Sequence, residues 1–510
     1  MASILAAMLS GALLAGAFPW FAGLHLEGLA WCGLVPLIWA IERSHGLRWH
    51  TLLCLVFALV FSGLCILPLA AWRGAGVVLL WLGYVPVPFA MALAYGAARR
   101  LLDVRAALLC WVLLAVVAES LLTQYWAMAA PWWVLGASQM RLIWLIQLAD
   151  LTGVWGITGW VLACNALLAY CLLQRSRTAL ALLPVMVLVP WLYGSWRLTE
   201  PLVPVGTLRA AAVAPGHTPD DGFAQFERAL DISERAVAQH RPDLLVWAES
   251  VYMYPLVTQI ESRNLLLASV ERWHVPLLLH AMEQAADRPS QRYGISALLT
   301  PELATHVLDN APTRSWPVRM DRKRRLTPLA EWLPYADQLL WLYRAVSDSV
   351  GLVKNGGYTP GSTAPEPFHI LWQGQALPLG AVICFELLFP GEVAQVVARG
   401  SRAIFWLTND QLAEEGPYGY QFAQFARLRA VETRRDVVRA NLTGSAFVVG
   451  PDGRTRVEGA HGAGAVLLDA RLHNTLTLYV RYPHGFLWVC AACAGLVLAW
   501  GAARKLSPAA

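Results

Sequence analysis

Eight of the nine cysteines lie in long apolar runs, and the ninth, Cys384, stands alone in the one large polar stretch of the chain. A solitary thiol there has no partner for an intradomain disulfide. It sits in Gly380-Ala381-Val382-Ile383-Cys384-Phe385-Glu386, a strand-like run ending in sulfur with a carboxylate two residues on. Such a position suits a nucleophile; the competing reading is a buried cysteine serving as a small hydrophobe. Glu249 similarly closes Asp243-Leu244-Leu245-Val246-Trp247-Ala248-Glu249-Ser250, where a solvated or capping carboxylate is the ordinary alternative. Lys323 lies in Asp321-Arg322-Lys323-Arg324-Arg325, and basic runs are ordinarily solvated faces. However, the chain holds three lysines against 36 arginines, so a lysine inside an arginine cluster points to a need for a compact ammonium. A free thiol has a pKa near ~8.5 and is only slightly ionised at neutral pH, so a base and a cation must assist it. A glutamate and a lysine supply those two roles.

The elements that must position these groups fall into two kinds. With 57% hydrophobic residues, 14% charged residues and a mean hydropathy of +0.48, the 510-residue chain reads as an integral membrane protein. Apolar stretches able to cross ~30 Å of hydrocarbon fall near 3–21, 27–41, 51–72, 77–98, 105–127, 152–174, 179–196 and 485–503, which predicts about eight spans. The second is short and interrupted by Gly33 and Pro36, and 128–151 is apolar enough for a re-entrant segment. The first run has no basic residue before it and no cleavage-like break after it, so it is expected to stay as a span. Arg43 and Arg48, then Arg99, Arg100 and Arg105, then Arg175 and Arg177, then Arg504 and Lys505 occupy alternate loops. By the positive-inside rule those loops and both termini are cytoplasmic, and 200–484 lies on the opposite face.

Residues 200–484 carry 27 Lys and Arg against 29 Asp and Glu, so the +5 net charge belongs to the membrane-flanking loops and no basic footprint for nucleic acid exists. Short β-rich runs alternate there with amphipathic stretches. The pattern predicts strands near 207–214, 243–248, 276–281, 293–299, 367–372, 378–384, 403–408, 437–449 and 463–469. Helices fit 219–239, 258–272, 391–399 and 416–435, and 340–365 reads as a loop able to act as a lid. The alternation implies an α/β domain with sheets buried between helix layers. The expected organisation is 1–199 as a helical bundle of about seven spans, 200–484 as an extracytoplasmic domain, and 485–510 as a last span with a short tail.

Taken together, Glu249, Lys323 and Cys384 resemble, in chain order, the Glu-Lys-Cys triad of the nitrilase superfamily. Spans on both sides of the domain narrow the resemblance to the apolipoprotein N-acyltransferase family. Further matching segments are Gly153-Val154-Trp155-Gly156, Leu326-Thr327-Pro328-Leu329-Ala330-Glu331, Thr408-Asn409-Asp410, the 426–432 stretch and Pro451-Asp452-Gly453. The chain departs from the family pattern at Ala248 (usually proline), Ala330 (glycine), Phe385 (tyrosine), Asp321 (an aromatic) and Gln411-Leu412-Ala413-Glu414-Glu415.

The resemblance implies an αββα sandwich inserted between the seventh and eighth spans, and an enzyme without metal or cofactor, in a bacterial inner membrane with its catalytic domain periplasmic. It implies that Glu249 is general base to Cys384, which takes an acyl chain from a phospholipid as a thioester while Lys323 steadies the oxyanion. The amine of an S-diacylglyceryl-cysteine lipoprotein then accepts the chain. Glu331 and Glu386 are expected to orient Lys323 and tune local charge, with Phe385 beside the nucleophile, in a monomer. The alternatives are a membrane-bound amidase, an acyltransferase with another acceptor, or a non-catalytic lipid-binding scaffold; a transporter is disfavoured by the few ionisable residues in the spans. Glu119, inside the fifth apolar run, receives no catalytic role.

Overall fold

The computed structural model describes residues 1–69, 76–216, 221–285, 288, 290–309, 318–350, 357–411, 416–459 and 462–506. The chain divides into two compact units. One comprises Met1–Glu200, Pro334–Leu352 and Tyr482–Ala510, and the other Pro201–Leu333 and Val353–Arg481.

In the first unit six described helices are long and apolar enough to cross a membrane: Leu47–Leu69, Val77–Ala98, Val104–Tyr125, Val154–Gln174, Arg177–Thr199 and Gly485–Lys505. This is a multi-pass membrane protein. Two of the eight expected spans take another form. The first run makes Ala2–Gly16, 15 residues that stop ahead of Pro19, whose ring disfavours helix in the residue before it. The second breaks into a 3₁₀ turn, Glu27–Trp31, and the eight-residue helix Val35–Glu42. At the break, a Cβ on Gly33 would lie 2.9 Å from the Leu14 side chain. The backbone groups released there are taken up by Asn165: its Oδ1 accepts from Leu34 N–H at 2.7 Å and its Nδ2 donates to the Ala30 carbonyl at 2.7 Å. One buried amide thus satisfies an interruption that hydrocarbon alone would penalise.

The 128–151 stretch folds into the 3₁₀ turn Leu135–Gln139 and the short helices Ile143–Ile146 and Ala149–Thr152. Glu119 pins it. One carboxylate oxygen accepts from Leu135 N–H at 2.8 Å and the other from the Thr158 hydroxyl at 2.7 Å. Glu119 is buried, and both its oxygens are spent on holding these two segments. The Arg177–Thr199 helix approaches this segment at Gly194, where a Cβ would lie 1.9 Å from the Trp144 carbonyl oxygen. Gly194→Ala is therefore expected to lower the melting temperature of the detergent-purified protein by several degrees, since forced overpacking costs about 1–3 kcal/mol. The neighbouring Ser195→Ala, the control, should leave it unchanged.

The second unit is a pair of sheets. β1 (Gly206–Ala214), β2 (Leu244–Trp247), β3 (Leu277–Gln284), β4 (Arg292–Leu299), β5 (Met320–Arg322) and β12 (Gly464–Leu472) form a six-stranded sheet in the order β12-β1-β2-β3-β4-β5. β6 (Phe368–Trp372), β7 (Gln375–Ile383), β8 (Ile404–Thr408), β9 (Val437–Asn441), β10 (Phe447–Val449) and β11 (Thr455–Glu458) form the other, β11-β10-β9-β8-β7-β6. In each sheet three parallel strands, β1-β2-β3 and β7-β8-β9, are flanked by antiparallel neighbours.

The strands at the centre read as unbroken apolar runs because both faces are covered. In β8 the side chains of Phe405 and Leu407 enter the core between the sheets, while Trp406 meets Phe422 of the Pro417–Thr433 helix edge to face at 4.9 Å. Gly222–His240 packs on β1 and β12, and Pro390–Ala398 on β7, giving the αββα layering.

Expected and observed strands coincide within a few residues, with two exceptions. The 437–449 run is divided between β9 and β10, and β5 and β11 escape notice because they are short and polar. The 340–365 stretch is in part helical, within Ala336–Val350. Residues 351–356 of that stretch, and 412–415 of the departing segment, lie outside the described residues.

Candidate active site

Parallel strands in the two facing sheets end at one edge of the sandwich, and the chemistry-bearing residues follow them. Glu249 comes two residues after β2, Lys323 directly after β5 and Cys384 directly after β7. Strand carboxyl ends are where α/β sheets present their ligands.

Cys384 has φ +46°, the left-handed region that costs a side-chain-bearing residue about 1–2 kcal/mol. Its turn is held in that conformation from outside. Glu386 accepts from Ile383 N–H at 3.0 Å with one carboxylate oxygen and from Arg324 N–H at 2.7 Å with the other. The Trp406 indole donates to the Cys384 carbonyl at 3.0 Å. The sharp turn lifts the sulfur out of the strand direction.

The lysine is held by two carboxylates. Lys323 Nζ donates to Glu331 at 2.7 Å and to Glu249 at 3.2 Å. Each carboxylate is in turn fixed by a backbone amide: Glu331 accepts from Thr327 N–H at 2.7 Å and Glu249 from Asn409 N–H at 3.0 Å. The Cys384 thiol feels the charges of both Glu249 and Lys323, and the Thr408 hydroxyl stands 3.8 Å from Sγ. Glu249, Lys323, Glu331 and Cys384 therefore come together in one cluster. Glu386 stands beside it and feels the Lys323 charge. It bonds to backbone rather than to the lysine ammonium, so it shapes the turns on which Lys323 and Cys384 stand. Phe385 is buried with its ring edge-on to Phe389 at 5.6 Å.

Burial dominates the electrostatics. It pushes the Glu249 carboxyl up, the Lys323 charge pulls it back, and the Glu331 charge raises it again. Burial works against the Lys323 ammonium, but Glu249, Glu331 and Cys384 together hold its pKa well above the usual lysine range. The Cys384 thiol is driven well above its ordinary value by burial and then by the Glu249 charge, against Lys323. At neutral pH the site thus stores its proton on sulfur with a carboxylate poised to take it, in contrast to a preformed thiolate.

Three further residues belong here. Tyr358 lies beside the carboxylates, its phenol pushed up by burial and by Glu331, and its N–H donates to the Glu331 carbonyl at 2.7 Å. His280 accepts from Ser250 N–H at 3.3 Å and is kept neutral, its pKa lowered to about 3 by burial and the nearby Lys323. Asn409 supports Glu249 through its backbone. Only Thr408-Asn409-Asp410 carries a signal in the sequence, a polar triplet closing a strand.

The carbon-nitrogen hydrolase family model matches residues 209–468, just over half of the chain, and the chain belongs to that family. The model described as the apolipoprotein N-acyltransferase N-terminal domain matches residues 10–167. Along nearly its whole length the chain is similar to apolipoprotein N-acyltransferases. It is 28% identical to that of Chlorobaculum tepidum, covering 98% of this chain and 96% of the relative, and 28% identical to that of Geobacter metallireducens, covering 98% and 95%. A solved amidase from Nesterenkonia sp. aligns at 18% identity and a TM-score of 0.38, covering 56% of this chain and 95% of its own.

Proposed function

We propose that this protein is a membrane acyltransferase that moves a fatty acyl chain from a phospholipid to the N-terminal amine of S-diacylglyceryl-cysteine lipoproteins, through a thioester on Cys384. The observation that carries the reading is the cluster of Glu249, Lys323, Glu331 and Cys384, built on a buried glutamate–lysine pair, in a chain that also carries six membrane-length helices among the described residues.

In the first half-reaction Glu249 takes the thiol proton as Sγ attacks the ester carbonyl. The oxyanion that forms faces the Lys323 ammonium, a donor worth about 3–4 kcal/mol in such a site. The intermediate collapses to a thioester, and the departing lyso-lipid oxygen receives the proton from Glu249. In the second half the lipoprotein α-amine attacks the thioester carbonyl and gives its proton to Glu249. Sulfur leaves and is reprotonated, and an amide remains. Kinetics of the ping-pong type follow.

Cysteine suits this exchange because a thioester is more readily aminolysed than the ester it replaces. Arginine placement supports a catalytic unit outside the cytoplasmic membrane, where both bilayer-anchored substrates expose their reactive groups. The working form is a monomer.

Incubating the purified protein with phospholipid and a diacylated lipopeptide should give a triacylated product and a lyso-lipid in equal amounts. Hydrolysis of a small amide without any triacylated product would replace this reading with an amidase.

A further inference from the structure

Two adjacent cations leave β5, and each has its own set of carboxylates. Lys323 takes Glu249 and Glu331, as described above. Arg324 turns the other way into a second buried set. Its NH1 donates to both oxygens of Asp321, at 2.8 and 3.0 Å, and its Nε donates to Glu392 at 3.0 Å. Its NH2 stands 3.8 Å from the same Glu386 oxygen that accepts its backbone N–H. The side chains are 9% exposed for Arg324, 13% for Asp321, 2% for Glu386 and 8% for Glu392, so water screens little of this. Glu392 starts the Pro390–Ala398 helix that follows the cysteine turn, and its other oxygen accepts from Arg325 Nε at 2.9 Å. Asp321, where the chain carries an acid in place of an aromatic, thus has a defined partner.

We propose that Arg324 is a positioning residue: its guanidinium stands in ion-pair range of Glu386, which bridges an N–H of the lysine turn and an N–H of the cysteine turn, and through that pair it sets the separation between Lys323 and Cys384. The bridge needs an ionised carboxylate. A charged Glu386 can offer one oxygen to Ile383 N–H and one to Arg324 N–H; a neutral carboxyl carries a hydrogen on one oxygen and must set it against one of those donors. The groups acting on Glu386 are the cations Arg324 and Lys323 and those two N–H donors, with Asp321 and Glu392 acting through Arg324. Burial alone drives its carboxyl upward, and Arg324 is the largest force opposing that. Removing Arg324 leaves Glu386 neutral to a higher pH, the bridge half broken and the two turns free to separate.

This inference rests on the reading of Cys384 as the acylated residue, and the test separates the two. Full-length wild type, Arg324→Met, Glu386→Gln and the double variant are compared across neutral to alkaline pH. Acylation of Cys384 by phospholipid is followed by intact mass, and alkylation of the same thiol by iodoacetamide is followed in parallel.

Arg324→Met should slow both reactions about 10- to 100-fold near neutrality, the size of a small misplacement of reacting groups. It should recover toward wild type as pH rises and Glu386 ionises. Glu386→Gln should lose as much with no alkaline recovery, and adding Arg324→Met to it should change nothing further. A wild-type rate in Arg324→Met, or a loss independent of pH and additive with Glu386→Gln, overturns the assignment. Failure of wild type to acquire an acyl adduct would sink the acyltransferase reading alone, since the alkylation series still decides the role of Arg324.

Discussion

Replacing Cys384 by alanine is expected to abolish lipid transfer, with activity falling on the order of 10⁶-fold, the scale seen when a covalent catalyst loses its nucleophile. Wild-type protein isolated from membranes should carry a mass increment equal to a fatty acyl chain on Cys384, removed by hydroxylamine. The alanine variant should be unmodified, while its melting temperature stays within a few degrees of wild type, because the turn at 384 is held by Glu386 and Trp406 from outside the side chain. Eight other cysteines provide an internal control, since they lie in the apolar helices and turns of the other unit. Label on those in place of Cys384 would refute the thioester route and leave the fold as a scaffold.

Glu249→Gln should also be severe though less so, with a loss of about 10³- to 10⁴-fold, because the proposed mechanism needs a general base on a neutral thiol. The amide retains an acceptor for Asn409 N–H but cannot take a proton. Its pH behaviour separates this from a packing defect. The Glu249 carboxyl is raised by burial and by the Glu331 charge and lowered by Lys323. The base form exists above that raised pKa, so wild-type acylation is lost as pH falls through a range above the ordinary ~4.3 of glutamate. Glu331→Gln removes a neighbouring negative charge, so the acidic limb should move to lower pH in that variant. It should vanish in Glu249→Gln. Lys323, held well above the usual range, stays charged and contributes no alkaline loss below about pH 10. An acidic limb that stays in place in Glu331→Gln would remove Glu249 from the role of base.

Glu249 and Cys384 are legible as candidates because each closes an apolar run, where a polar group stands out against its neighbours; Lys323 is legible as a lone lysine among arginines. What holds them is not. Glu249 leans on the backbone of Asn409, 160 residues away, and Glu386 reaches back 62 residues to Arg324 N–H. Such contacts arise from the stacking of two sheets and leave no periodicity behind. The proximity of Glu386 to Cys384 in sequence signals involvement, but not that its two oxygens accept from the main chain of Ile383 and Arg324.

The membrane portion shows the same limit. Hydropathy measures how apolar a segment is, and the break at Gly33 is made tolerable by Asn165, 131 residues beyond Leu34. The lysine, conversely, is buried inside a run that otherwise suggests a solvated face, and the side chain of Arg324 beside it is only 9% exposed.

The grip on Lys323 has a consequence for what could ever replace it. An ammonium is a tripod, and two of its legs are planted, on Glu249 and on Glu331. The remaining leg is the one the proposed mechanism gives to a visiting carbonyl, at the moment its oxygen turns negative. A guanidinium, flat and wide, would need both anchors moved to stand in the same place, so arginine, the cation this chain favours almost everywhere else, is barred from this one position.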